Sequence, residues 1–228
     1  MGLQSGDFVN DFLEQGLQIQ GDFAEIGVYG GDNFKRLLLG LKGTGRVLHA
    51  FDSFQGLPAP GLFDIAHLYP EGAFNVGGVD AFRQIMADMD PEGYRIWPGF
   101  IPECFPNFDQ EIRKHFCFAA VLINMVHYGP TLDAIRWAWP KLHPGGLLVI
   151  AEYLPKNRPG YLSTRAVLDW FKTSEGQSAE NIRRVGMGVW MNKPGKPEKA
   201  EAEEPKNETK SPKKPPKDRM IKEAPESR

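Results

Sequence analysis

The scarcity of cysteine and of long apolar stretches already limits what this chain is. It has only two cysteines, Cys104 and Cys117, in 228 residues, which is too few for a disulfide framework. No stretch approaches the ~18 consecutive apolar residues of a membrane span, and the sequence opens with no signal peptide. We therefore expect a cytoplasmic protein with no membrane partner.

A strong net charge of one sign is also missing, since the formal net charge is −2. This small value hides a division near Lys193, after which the chain is net positive, rich in proline and without aromatic residues. Such a segment buries too little apolar surface to offset the entropy of ordering. We predict one domain over residues 1–192 and a disordered tail over 193–228, either a solvated extension or a partner tether. Interspersed glutamates would repel phosphates, so we expect no nucleic-acid partner.

Short apolar strands alternate with helical patterns along the predicted domain. The predicted strands are 22–28, 46–52, 94–97, 116–123 and 146–150, followed by a hairpin of 181–185 and 187–192. The predicted helices are 7–18, 32–41, 78–89, 108–114, 130–140 and 160–173. Apolar strands that alternate with helices imply an α/β fold whose mostly parallel sheet is covered on both faces. Ligands bind such sheets beyond the carboxyl ends of the strands, where the strand order reverses.

The first strand leads directly into a glycine-rich turn and a helix. Gly27, Gly30 and Gly31 follow the apolar run, and a helical pattern starts at Asp32. This arrangement lets the backbone approach a nucleotide-like ligand at a helix N-terminus. Ordinary turn chemistry is the alternative interpretation.

Asp52 ends the second predicted strand, 21 positions after Gly31. A carboxylate there can accept hydrogen bonds from both hydroxyl groups of a ribose. The same position also suits an aspartate that merely caps the following turn.

Several short stretches together resemble one enzyme family. Residues 21–28 read Gly-Asp-Phe-Ala-Glu-Ile-Gly-Val, and residues 52–58 read Asp-Ser-Phe-Gln-Gly-Leu-Pro. Residues 131–135 (Thr-Leu-Asp-Ala-Ile), 140–146 (Pro-Lys-Leu-His-Pro-Gly-Gly) and 188–190 (Gly-Val-Trp) follow in the same order. Over about residues 20–192 they resemble the macrocin-type sugar O-methyltransferases, the TylF, MycF and NovP family.

The resemblance implies a Rossmann-like class I methyltransferase fold that uses S-adenosylmethionine. It places Glu25, Gly27 and Gly31 at the methionine end and glycine turn of the cofactor. It places Asp52 at the ribose, with Ser53 and Phe54 beside it, and Gly99 and Phe100 near the adenine. The implied partner is a small-molecule acceptor, a sugar or glycoside; a homo-oligomer stays open.

The metal-binding positions of the family are altered in this chain. After strand four the family has Asp-x-Asp-x-Tyr, whereas residues 124–128 here read Asn-Met-Val-His-Tyr. After strand five it has Asp-Asp-Tyr, whereas residues 151–153 are Ala-Glu-Tyr. Because magnesium prefers several hard oxygen ligands, including carboxylates, we predict no metal site. A weak site formed by Asn124 and Glu152 is the alternative.

Without a metal, the acceptor hydroxyl still needs a base. His127 is the first candidate, because an unperturbed imidazole pKa of ~6.5 suits neutral pH. It also follows strand four at the mouth of the predicted cleft. The alternative interpretation is a histidine of a surface loop. Glu152 is the second candidate, and Asn124 completes the predicted catalytic set. Tyr128 or Tyr153 could orient the acceptor.

The connection over residues 53–77 is unusually long for a segment without its own secondary structure. It contains several large apolar residues, including Phe63, Leu68, Tyr69 and Phe74. It is either a lid that closes over the acceptor and cofactor or an insertion that its aromatic residues pack down.

Three functional hypotheses follow. The first is an S-adenosylmethionine-dependent O-methyltransferase acting on a sugar or glycoside hydroxyl, with a degenerate metal site. The second is a non-catalytic relative that keeps the cofactor pocket, which the missing carboxylates favour. The third is a nicotinamide-dependent dehydrogenase of the same fold class; the absence of Gly-x-Gly-x-x-Gly spacing opposes it.

Overall fold

The structure, a computed structural model, describes residues 6–112, 116–154 and 161–195. Its helices are α1 (Gly6–Leu17), α2 (Asp32–Leu41), α3 (Val79–Ile85), α4 (Phe105–Glu111), α5 (Tyr128–Lys141), α6 (Tyr161–Trp170) and α7 (Ser174–Ser178). Its strands are β1 (Asp22–Ile26), β2 (Leu48–Asp52), β3 (Tyr94–Pro98), β4 (Phe118–Ile123), β5 (Leu142–Ile150), β6 (Glu180–Val185) and β7 (Gly188–Asn192). A short 3₁₀ helix, Pro91–Gly93, precedes β3.

The strands form one seven-stranded sheet in the order β3-β2-β1-β4-β5-β7-β6. The first five strands of the chain pair in parallel, whereas β7 is antiparallel to both β5 and β6. The predicted α/β class, with a mostly parallel seven-stranded sheet and a C-terminal antiparallel hairpin, is confirmed. The strand order reverses between β1 and β4, because β2 and β3 lie on one side of β1 and β4 and β5 lie on the other. A ligand is expected at this position.

Apolar side chains cover both faces of the sheet. One buried cluster packs α1, α2 and α3 on one face and includes Phe12, Phe23 and Trp190. The other packs α4, α5 and α6 on the opposite face and includes Phe108 and Trp170. These helices are amphipathic because only one side of each meets the sheet. The two layers make the strand ends a rigid frame for the loops that follow them.

Several predicted boundaries were wrong by a few residues, each for a local reason. The helix predicted at 108–114 is α4, which starts at Phe105 because Pro106 is accommodated in the first turn of a helix. The helix predicted to end at residue 173 ends at Trp170, and Thr173 instead caps the short α7 by accepting a hydrogen bond from the Gly176 amide.

Most of the predicted tail, 193–228, lies outside the described residues, which end at Gly195. Within the part of the chain that the structure describes, no helix is both long and apolar enough to cross a membrane.

Candidate functional site

A cavity of about 270 Å³ opens at the carboxyl ends of β1, β2 and β4, near the lower end of small-molecule sites, roughly 300–1,000 Å³. Its walls come from the turn after β1, the residues after β2 and β4, Phe100 and Ile101 after β3, and Glu152 after β5. This is the position expected from the reversal of strand order. The cavity therefore lies where strand order and the glycine turn predict a ligand site.

The glycine turn after β1 brings the backbone to the edge of this cavity. Gly27 has φ +85°, and its N–H donates to the Phe51 carbonyl at 2.8 Å. A Cβ on Gly27 would overlap the carbonyl oxygen of Asn124 at the end of β4. Gly31, with φ +84°, occupies the N-cap position of α2. Both glycines are needed because the turn runs between two strand ends and a helix without room for a side chain.

Asp52 joins this turn to the end of β2. Its Oδ2 accepts the N–H groups of Val28 at 2.7 Å and Tyr29 at 3.0 Å, and its Oδ1 accepts that of Phe54 at 2.7 Å. A carboxylate offers about four acceptor positions, so capacity remains at Oδ1. The carboxylate lines the cavity in a fixed orientation, which fits a group that must receive hydroxyl donors.

Glu25 lies inside the protein behind the glycine turn. Its side chain is fully buried, and within the described residues neither carboxyl oxygen has a hydrogen-bond partner. Burial first, and then the charge of Asp52, raise the pKa of Glu25 well above its ordinary value, whereas the Asn33 amide opposes the shift. An unsatisfied buried acid costs stability unless something pairs with it. Because Asn33 lines the cavity, this acid lies one side chain behind the cavity wall.

Ser53 and Phe54 shape the wall more than they face the ligand space. Ser53 Oγ donates to the Gly56 carbonyl at 2.8 Å and accepts the Gln55 N–H at 3.1 Å. Ser53 contributes to the cavity lining, whereas Phe54 does not. Phe54 stacks on Phe82 with ring centroids 4.4 Å apart and is almost completely buried. It therefore supports the loop after β2 from behind.

Gly99 and Phe100 follow β3, as predicted. The Gly99 N–H donates to the backbone carbonyl of Asp52 at 3.0 Å, which ties the end of β3 to the end of β2. Phe100 and Ile101 line the cavity, whereas Gly99 is not part of its lining. The two side chains give this wall an apolar surface suited to a flat ring system.

Asn124 and Glu152 face the cavity from the ends of β4 and β5. Burial raises the pKa of the Glu152 carboxyl, which makes it a stronger base than an exposed glutamate. Val126 also lines this part of the cavity, and Ala151 is fully buried beside Glu152. The arrangement places one desolvated carboxylate and one amide at the ends of these two neighbouring strands.

These residues do not fit a magnesium ion. The local oxygen donors are one carboxylate, from Glu152, and one neutral amide carbonyl, from Asn124, whereas magnesium favours a fuller octahedral oxygen set. Across residues 6–112, 116–154 and 161–195, no group of three or more His, Cys, Asp or Glu side chains could hold a metal ion.

His127 was expected at the mouth of the cleft, but the structure does not bring it to the cavity. Its side chain is 1% exposed and is not part of the cavity lining. Its Nε2 donates to the backbone carbonyl of Tyr69 at 3.2 Å, because a carbonyl can only accept. The physical reason is that the long connection after β2 folds over it.

That connection forms a defined loop, which we call the lid (residues 57–73). Its two ends are paired, since the Leu57 N–H donates to the Ala73 carbonyl at 2.8 Å and the Gly72 N–H donates to the Leu57 carbonyl at 2.9 Å. Leu57, Pro58 and the adjoining Phe74 line the cavity. Phe74 also meets Tyr29 edge to face, with centroids 5.5 Å apart. The base of the lid is therefore one wall of the site.

The two tyrosines predicted to orient the acceptor lie differently. Tyr128 donates its hydroxyl to Asp169 of α6 at 3.0 Å and is packed against Phe63 of the lid. Tyr153 donates its backbone N–H to the Met187 carbonyl. Neither side chain lines the cavity.

The sequence interpretation missed the contribution of Asp64, Tyr69 and Asn33. Asn33 could have been found, since it is the second residue of a helix that starts at a glycine turn. Asp64 and Tyr69 meet their partners across more than fifty residues of chain, and no local pattern predicts such contacts.

Comparisons with known proteins agree with this geometry. The family described as macrocin-O-methyltransferase (TylF) matches residues 7–193. A curated relative, the 8-demethyl-8-(2,3-dimethoxy-alpha-L-rhamnosyl)-tetracenomycin-C 4'-O-methyltransferase of Streptomyces olivaceus, is 28% identical over 145 residues. That match covers 59% of this chain and 54% of the relative, so the chain spans about half of the relative's length.

Two solved structures are similar in fold. The O-methyltransferase NovP has a TM-score of 0.66 at 21% identity, over 82% of this chain and 78% of that one. TomG from Streptomyces achromogenes, an O-methyltransferase of tomaymycin synthesis solved in complex with S-adenosylmethionine, has a TM-score of 0.58 at 14% identity, over 86% and 82% of the two chains. At these identities the likeness concerns the fold.

Proposed function

We propose that this chain is an S-adenosylmethionine-dependent O-methyltransferase acting on a sugar or glycoside hydroxyl. The chain belongs to the macrocin O-methyltransferase (TylF) family. The observation that carries the proposal is Asp52, whose carboxylate is held by three backbone N–H groups at the edge of the cavity. The name of the Streptomyces olivaceus relative, a 4'-O-methyltransferase of a rhamnosylated compound, supports a glycoside as the acceptor.

The described residues fit this cofactor, and the unpartnered carboxyl of Glu25 is the strongest sign of fit. Asp52 would receive the ribose hydroxyls, and Phe100 and Ile101 would flank the adenine. Asn33, the second residue of α2, would meet the methionine end, and the buried acid of Glu25 on β1, one side chain behind it, would be the counter-charge to an amino group there. When bound, S-adenosylmethionine supplies an electrophilic methyl group on a sulfonium.

The catalytic part of the proposal rests on Glu152 and Asn124. Glu152 lines the cavity, and its raised pKa makes its carboxylate a better acceptor for the proton of an acceptor hydroxyl. Asn124 would hold that hydroxyl by hydrogen bonding. The residues thus position the nucleophile and remove its proton, and methyl transfer needs little more than that alignment.

The second candidate function, a non-catalytic relative, is favoured by one specific observation. Asn124 and Ala151 stand where the family resemblance implies carboxylates, which argues against a metal-assisted route. A chain that binds the cofactor but transfers no methyl group would show this pattern.

Binding is the first test. Calorimetric titration should show that the wild type binds S-adenosylmethionine and that Asp52→Asn binds it at least about tenfold more weakly, since charge-assisted hydrogen bonds would be lost. Asp80→Asn, which changes an exposed acid on α3, is the matched control and should bind normally. No binding by the wild type would contradict both functions, and binding of NAD instead would support the dehydrogenase.

Transfer is the second step of the same test. With a panel of glycosides, methyl transfer by the wild type and a loss of about a hundredfold or more in kcat for Glu152→Gln would support the enzyme, since general bases contribute on this order. Binding without transfer to any acceptor would favour the non-catalytic relative.

A further inference from the structure

The lid contacts α5 through the side chain of Asp64, which lies at the N-terminus of this helix. His127 is the N-cap residue of α5 but makes no capping bond with its own side chain. Instead, Asp64 of the lid accepts the N–H of Tyr128, the first residue of α5, at 2.9 Å through Oδ1. Its Oδ2 accepts the Gly61 N–H at 2.8 Å. A carboxylate at this position satisfies a free helix donor and matches the positive end of the helix dipole.

His127 makes a second connection to the lid. Its Nε2 donates to the Tyr69 carbonyl at 3.2 Å, and its Nδ1 faces Asp64 Oδ2 at 3.8 Å. The side chains of His127 and Asp64 are only 1% and 3% exposed. Shielding from water strengthens polar contacts of this kind, because the local dielectric constant is low.

Apolar packing contributes less to holding the tip of the lid. Leu62 is 93% exposed, and Phe63 and Leu68 are each exposed by about two fifths, so the apolar side chains of the tip are less deeply buried than the side chains of Asp64 and His127. The remaining support is Phe63, which meets the Tyr128 ring at 5.0 Å and lies under the Arg165 guanidinium at 4.2 Å. The contacts of Asp64 and His127 are therefore the most deeply buried of these attachments of the tip.

The attachment has a direct path to the cavity. The base of the lid supplies Leu57 and Pro58 to the cavity wall, and Phe74 adjoins it. The backbone carbonyl of Tyr69 accepts the hydrogen bond from His127. The pKa of the Tyr69 phenol is raised first by burial and then by the nearby charge of Glu152, which lines the cavity. A lid released from α5 would move this wall.

We propose that Asp64 and His127 are positioning residues that together latch the lid onto the first turn of α5 and thereby fix one wall of the cavity. The proposal rests on the proposed function only for what the cavity contains. The latch itself is a property of the protein alone.

Hydrogen exchange of the full chain, followed by mass spectrometry without any ligand, tests the latch directly. In Asp64→Ala and in His127→Leu, peptides from the lid and the first turn of α5 should exchange about tenfold faster or more. Peptides from β4 should be unchanged. The matched controls are Asp80→Ala and His67→Leu, since His67 is an exposed histidine of the same lid; both should exchange like the wild type.

Two results would overturn the latch. One is unchanged lid exchange in either latch variant, and the other is an equal increase in the lid and in β4, which would mean general destabilisation. Asp64→Asn offers a conservative check, because its amide oxygen can still accept the Tyr128 N–H; its lid exchange should fall between those of the wild type and Asp64→Ala.

The release of S-adenosylhomocysteine connects the latch to the site. Stopped-flow displacement should show release from Asp64→Ala about tenfold faster than from the wild type, with partial recovery in Asp64→Asn. If release is unchanged while lid exchange rises, the wall is not set by the latch and the proposal fails. If the wild type does not bind this probe, the proposed function fails, whereas the exchange result still decides the latch.

Discussion

Single side chains carry the clearest predictions, and Glu25 is the most informative of them. Because the pKa of this buried carboxyl is raised in the folded protein, the folded state binds its proton more tightly than the unfolded chain does. Its contribution to stability is therefore complete below the ordinary pKa of about 4.5 and is lost as the pH rises through the higher, folded-state pKa.

We expect Glu25→Gln, which cannot ionise, to unfold at a higher temperature than the wild type by an amount that grows with pH. Thermal unfolding without ligand, followed from about pH 5 to pH 9, measures this difference. The matched control is Glu14→Gln, which changes an exposed glutamate on α1 and should give no pH-dependent difference. A Glu25→Gln effect of constant size at every pH would show that the acid is not held neutral.

The residue scale also shows where sequence interpretation succeeds and where it stops. Asp52 was identified because its place at the end of the second strand follows from strand order, which is a local and regular property. His127 was expected to face the cleft for the same reason, but its environment depends on Asp64, which lies 63 positions earlier in the chain. The residues next to His127 in the sequence contain no pattern that predicts its burial by a distant loop.

At the scale of elements, the β1–α2 turn is determined by contact with β4. A Cβ on Gly27 would overlap the Asn124 carbonyl, and its φ of +85° is unfavourable for other residues. Gly30 has neither constraint, since a Cβ there would meet nothing within 4 Å. Gly27 and Gly30 therefore provide a constrained position and an unconstrained control position in the same turn.

We expect Gly27→Ala to lower the free energy of unfolding by roughly 2 kcal/mol or more, and Gly30→Ala to change it little. Urea unfolding of both variants measures the difference. Equal effects of the two substitutions would mean that the turn has room to adjust and that its close approach to β4 is not required.

The elements themselves were largely predictable, because apolar periodicity and turn residues mark them. The errors fall where a cap or a proline has more than one permitted position. Pro106 lay outside the helix predicted at 108–114 but occupies the first turn of α4. Thr173 was included in a helix, yet its hydroxyl begins the next one.

For the molecule as a whole, one side of the cavity is formed by the glycine turn and Asp52, which we propose hold the cofactor, and the other side presents Asn124 and Glu152. Because Asn124 and Glu152 alone are a poor magnesium site, we expect methyl transfer by the wild type to be the same in EDTA and in added magnesium. The measurement is the initial rate with one accepted glycoside, with a magnesium-dependent methyltransferase as the control. Loss of activity in EDTA would show that Asn124 and Glu152 do support a metal ion that the reaction requires.

The capping of α5 by a residue of the lid has a consequence for modularity. In most folds a surface loop can be exchanged between relatives without altering the framework, because the framework satisfies its own backbone groups. Here the Tyr128 amide depends on Asp64 for its hydrogen bond, so the lid and the helix form one structural unit. A lid transplanted from another enzyme to change acceptor choice would have to bring an acid at this position or leave α5 uncapped.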